Sequence, residues 1–123
     1  LSPALMPARL DQFDAQLAQA RELAPAWLIA GNEPLLVIEA SDRLRRRARE
    51  LGDDEREVLD VESGFDWNDL ARAGAALSLF ARRRLFDLRL PTGKPGREGS
   101  EAIQAYLESP PPDTVLLITA NDW

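Results

Sequence analysis

The unbroken apolar run Ala26-Trp27-Leu28-Ile29-Ala30, held between Pro25 and Gly31, constrains this chain more than any other stretch. Five apolar residues without polar alternation are the signature of a strand buried on both faces, which belongs in a parallel sheet. A parallel sheet in turn demands long crossover connections, usually helices. The rest of the sequence supplies them.

Arg9 to Leu23 spaces Leu10, Phe13, Leu17 and Ala20 by three and four, one stripe of an amphipathic helix that Pro25 ends. After Gly31, Asn32 and Glu33 offer an N-cap and Pro34 suits a first turn, so a long helix is expected to about Leu51, stopped by Gly52. Its inner stripe is Val37, Ala40, Leu44, Ala48 and Leu51, and its outer face sets Glu39 four residues from Arg43 and Asp42 four from Arg46. A second strand is expected at Glu57 to Val61. Asp66 then caps a short helix from Trp67 to about Ala76, with Asp69 as a capping-box partner. Arg84 to Leu90 reads as a third strand, Thr92 to Gly99 as a flexible loop, Glu98 to Leu107 as a helix and Thr114 to Thr119 as a fourth strand after Pro110 to Pro112. Strands alternating with helices predict one α/β domain, a parallel sheet with helices on both faces and right-handed crossovers.

Composition removes several function classes. The 123 residues contain no cysteine and no histidine, so thiolate chemistry, an imidazole base and histidine metal ligands are all missing. A net charge of −6 argues against a domain that holds DNA by broad phosphate neutralisation. The five arginines from Arg43 to Arg49 read as a solvated, ion-paired helix face, with a DNA-binding module that uses Arg45, Arg46 and Arg49 as the alternative. No run approaches the length of a membrane span and the start shows no signal-peptide pattern, so a cytoplasmic protein is expected, with no membrane partner. The chain opens on Leu1-Ser2-Pro3 without methionine, as a processed or excised piece would.

In parallel α/β sheets, chemistry collects at the carboxyl ends of the strands. A phosphate loop starting at Gly31 needs glycine, lysine and a hydroxyl residue where this chain has Leu36, Val37 and Ile38. Without the lysine and the hydroxyl there is no ammonium for terminal phosphates and no magnesium ligand, so no cofactor is expected; an active ATPase remains the competing reading. Gly93-Lys94-Pro95-Gly96 resembles a phosphate binder in composition but follows the wrong strand. The acid pairs Asp53 with Asp54 and Asp66 with Asp69 read as caps and turn residues, and Asn121 has no phosphate to sense.

The remaining feature is Ala76-Leu77-Ser78-Leu79-Phe80, followed by Ala81 and Arg82 to Arg84. Three large apolar side chains in five residues on a connection fit two readings: the last buried turn of the preceding helix, or a patch held out for a partner.

Leu28 to Leu36 at the first junction, Phe65-Asp66-Trp67-Asn68, and Leu77-Ser78-Leu79-Phe80-Ala81 with Arg83 or Arg84 beyond it together resemble the amino-terminal domain of the delta subunit of bacterial DNA polymerase III, a clamp-loader subunit. The resemblance covers nearly the whole chain. It implies a degenerate AAA+-like domain that has lost nucleotide binding, part of a DNA-directed DNA polymerase holoenzyme, a nucleotidyltransferase assembly, with no catalytic site of its own. Two further domains are expected beyond Trp123. It also implies that Leu77, Ser78, Leu79 and Phe80, supported by Arg82 and Arg83, bind the beta sliding clamp and open the ring during replication. The other loader subunits would supply ATP hydrolysis, and DNA contact by this domain would be indirect. Ala76 stands where the similar clamp-binding peptides have glutamine, which leaves that end without an amide contact.

Overall fold

The structure, a computed structural model, describes residues 10–53, 55–62, 65–75, 83–90 and 95–120. Its elements follow in the order α1 (Leu10–Gln19), β1 (Ala26–Ala30), α2 (Pro34–Glu50), β2 (Glu55–Asp60), α3 (Asn68–Ala75), β3 (Arg84–Leu90), α4 (Gly96–Glu108) and β4 (Thr114–Ala120). The four strands form one parallel sheet in the order β1-β4-β3-β2. The expected α/β architecture is therefore present, with α1 and α2 on one face and α3 and α4 on the other.

Strand alternation divides the core in two. Leu85 of β3 and Val115 and Leu117 of β4 pack with Phe13, Leu17, Ala40, Leu44 and Ala48 of α1 and α2. Phe86, Leu88, Leu116 and Ile118 point the other way, onto Leu70, Ile103 and Tyr106 of α3 and α4. Each fully buried leucine on these faces contributes about 1.5–3 kcal/mol. The central strand β4 takes most of this burial, being buried at every position but Thr119.

The expected and observed elements differ at particular residues. β1 has the expected limits, but only Ala26 is fully buried, because among the described residues it pairs with β4 alone and forms an edge. β2 starts two residues early and buries only Leu59; it is the opposite edge, and Val58 is exposed. α1 stops at Gln19, short of Leu23, because the chain must turn extended before Pro25. Leu23 still reaches the core from that connection, and Arg47 of α2 donates to the Ala20 carbonyl at 2.6 Å, satisfying a helix-end acceptor.

On α2 the cap is Glu33, without a side-chain hydrogen bond, and Asp42 pairs with Arg45 three residues on rather than with Arg46. Asp66 accepts from the Asn68 N–H as expected, but Asp69 forms an ion pair with Arg72, not a capping box. α4 begins at Gly96, not Glu98, so Gly99 lies in a helix and not in a loop. A Cβ on Gly99 would sit 2.5 Å from the Trp67 ring, so this glycine serves close packing. Residues 91–94 of the expected Thr92 to Gly99 loop lie outside the described residues. No described helix is long and apolar enough to cross a membrane.

Candidate functional site

Of the expected partner-binding residues, Leu77, Ser78, Leu79, Phe80 and Arg82 lie outside the described residues, as do Ala76 and Asn121, while Arg83 is described. The structure does describe both flanks of that connection, Ala75 at the end of α3 and Arg83 at the start of β3. Each flank is tied down by an arginine.

Arg84, the first residue of β3, turns its guanidinium back onto the last turn of α3. It donates to the carbonyls of Ala73 at 3.0 Å and Gly74 at 3.3 Å, and to Thr114 Oγ1 at 3.3 Å. The same group lies 5.0 Å from the centre of the Phe86 ring, and the Arg84 backbone N–H donates to the Asp113 carbonyl at 2.9 Å. The helix-end carbonyls of α3 thus find their partners across the connection, and a cation sits at the negative end of the helix dipole. Arg83 reaches the turn after α2. Its Nε lies 3.0 Å from Oδ1 of the buried Asp53, and Nη1 donates to the Leu51 carbonyl at 3.1 Å. Gly52 makes that turn possible with φ of 102°.

A groove of about 790 Å³ runs between α3 and α4 toward Ala75, with Trp67, Gly74, Ala105, Tyr106 and Pro111 in its wall. The Tyr106 hydroxyl is buried there with no hydrogen-bond partner among the described residues. Burial holds this phenol well above its ordinary pKa, against a smaller downward pull from Arg84.

The expected phosphate-loop positions lie at the other end of the sheet. The Gly31 N–H donates to the Ala120 carbonyl at 3.3 Å, and α2 starts at Pro34, which removes one of the N–H groups that a helix N-terminus would offer to an anion. Leu36 and Ile38 are exposed, Ile38 by 55%, and Val37 is half-buried, near Gly31. This helix start offers hydrocarbon where a phosphate site needs an ammonium and a hydroxyl.

The arginines of α2 do not form a single solvated face. Arg45 and Arg47 turn inward, while Arg46 and Arg49 stay exposed. Arg45 meets Asp87, a fully buried carboxylate in the middle of β3, whose Oδ2 also takes Arg56 at 2.9 Å and Arg89 at 3.3 Å. Burial pushes the Asp87 carboxyl up, but the hydrogen bond and charge of Arg45, with Arg56 and Arg89, leave it below the ordinary carboxylate value. Sequence reasoning missed Asp87, the inward turn of Arg84 onto α3 and the Arg83–Asp53 pair. The one available signal for Asp87 was an acid in mid-strand, between Phe86 and Leu88.

Comparison with known proteins adds what geometry alone does not give. Residues 27–123 match the family described as DNA polymerase III, delta subunit. The chain is 32% identical over 111 residues to DNA polymerase III subunit delta of Escherichia coli, which covers 90% of this chain and 32% of that protein. It is 33% identical over 81 residues to the protein of the same name from Haemophilus influenzae, covering 66% of this chain and 23% of that one. Its fold is similar to the Bacillus subtilis DNA clamp loader delta protein, with a TM-score of 0.69 and 27% identity over 93% of this chain and 36% of that chain. The chain therefore spans between 23% and 36% of the length of these relatives.

Proposed function

Because this chain belongs to the DNA polymerase III delta subunit family, we propose that it is the clamp-docking, amino-terminal AAA+-like domain of a longer clamp-loader subunit. It binds the beta sliding clamp through Leu77, Ser78, Leu79 and Phe80 and opens the ring for loading onto primed DNA. The observation that carries this reading is the sequence Leu77-Ser78-Leu79-Phe80, set on the connection between α3 and β3 of a domain whose family is known.

The division of labour follows from the chemistry. Leu79 and Phe80 are the anchors, with Leu77 beside them; two fully buried apolar side chains give roughly 1.5–3 kcal/mol each before association costs of several kcal/mol. Arg82 adds charge that speeds encounter with an acidic clamp surface. Arg83 already holds Asp53 and the Leu51 carbonyl, so its part is to fix the base of the connection. Leu36, Val37 and Ile38 leave nothing to grip terminal phosphates, so ATP is bound and hydrolysed by other loader subunits in the cytoplasm, and this domain performs no catalysis and meets DNA only indirectly. Ring opening is mechanical. The domain shifts the clamp from closed to open only by the difference in its affinity for the two states.

The test is release of clamps from a nicked circular DNA by the full-length subunit without ATP. Release faster than the spontaneous rate is expected. A rate equal to the spontaneous one contradicts ring opening.

A further inference from the structure

We propose that Arg84 is the positioning residue of the clamp-docking connection, an inference that rests on the clamp-binding reading above. The observation is one guanidinium that joins three parts of the chain: the Ala73 and Gly74 carbonyls of α3, Thr114 Oγ1 at the start of β4, and the face of Phe86 within β3. Thr114 is itself oriented, its hydroxyl donating to the Pro112 carbonyl at 3.0 Å. Arg83 completes the joint on the other side through Asp53 and Leu51.

The two arginines hold the stems on either side of residues 76–82 at a fixed separation and direction. A docking segment whose two stems are already held loses less conformational entropy on binding than one whose stems are free. A lysine cannot take over Arg84's role. Its ammonium is a single point on a flexible stem, whereas the planar guanidinium reaches two successive carbonyls and a hydroxyl at once while stacking on an aromatic ring. Arg84 therefore acts on clamp affinity through the connection and not by touching the clamp.

The experiment measures clamp affinity of the full-length subunit by titration calorimetry, at a temperature where circular dichroism shows every variant folded. Arg84→Lys is expected to weaken binding about tenfold, the scale of the ordering cost of one or two side chains. Thr114→Val, which removes one of the three acceptors and keeps a β-branched strand residue, weakens it in the same direction by a smaller factor and decides the matter if Arg84→Lys does not fold. A synthetic peptide of residues 74–84 binds weakly and equally well with arginine or lysine at position 84. Unchanged affinity in a folded Arg84→Lys or Thr114→Val subunit overturns the proposal, as does a peptide whose affinity falls on the same substitution, since that means direct contact. If Leu79→Ala with Phe80→Ala binds as wild type, the clamp-binding reading itself has failed; if only the Arg84 and Thr114 variants do, positioning alone has failed.

Discussion

Arg45 on α2 and Asp87 in the middle of β3 meet through a 3.0 Å contact between Nε and a carboxylate oxygen that has no solvent exposure. This pair fixes how the long helix lies on the sheet, 42 residues apart in sequence. Arg56 and Arg89 share the same oxygen, so the buried charge is neutralised from three directions.

Removing the carboxylate leaves three arginines crowded together without their common partner. Asp87→Ala is expected to destabilise the protein by about 2–3 kcal/mol, the scale of lost hydrogen bonds to a buried charge, the arginines recovering part of the cost by turning to water. The midpoint of urea unfolding measures this.

The same group gives the fold an acid limit. Its folded pKa lies below the ordinary value, so the folded state binds this proton less tightly than the unfolded chain does. The stabilisation is complete above about pH 5 and is lost as pH falls through about 4 toward the folded value. Unfolding free energy measured from pH 6 to pH 2 should fall less steeply in Asp87→Asn than in the wild type.

Tyr106 sets the opposite limit. Its raised folded pKa means that the stabilisation is complete below about pH 10 and is lost as pH rises from there through the folded value. Because its hydroxyl has no partner among the described residues, Tyr106→Phe is expected to be neutral or stabilising, by up to about 1 kcal/mol, and to flatten the alkaline side of the profile. Thermal melts between pH 8 and pH 11 check both.

Gly99→Ala tests packing against propensity. Alanine is the better helix former by about 1 kcal/mol, yet its Cβ would press on Trp67 at 2.5 Å and on Pro95 at 2.6 Å. A net loss of about 1–2 kcal/mol in thermal unfolding is expected, since both neighbours are rigid rings.

Much of the fold was legible because its signals are local. Pro25 and Gly31 bracket β1, and Pro91 follows Leu90 in the sequence, so both strands appear at the expected limits. The edge position of β2 was not legible, because Val58, Leu59 and Val61 show three apolar side chains without showing which face a neighbour will cover. Gly99 misled for a similar reason: glycine signals a flexible loop unless one knows that Trp67 will approach it. The joint around Arg84 could not be read at all. Its acceptors are backbone carbonyls 10 and 11 residues away and a hydroxyl 30 residues away, none of which leaves a mark in composition or periodicity. At the first strand-to-helix junction, by contrast, the sequence alone shows Leu36, Val37 and Ile38 where a phosphate loop would need glycine, lysine and a hydroxyl residue.

The most direct measurement is titration of the beta sliding clamp with the full-length subunit, wild type against Leu79→Ala combined with Phe80→Ala, with circular dichroism on both. Saturable binding by the wild type and a loss of at least about a hundredfold in the folded double variant are predicted, as expected for two buried apolar anchors. A folded double variant that binds the clamp with unchanged affinity would contradict the account.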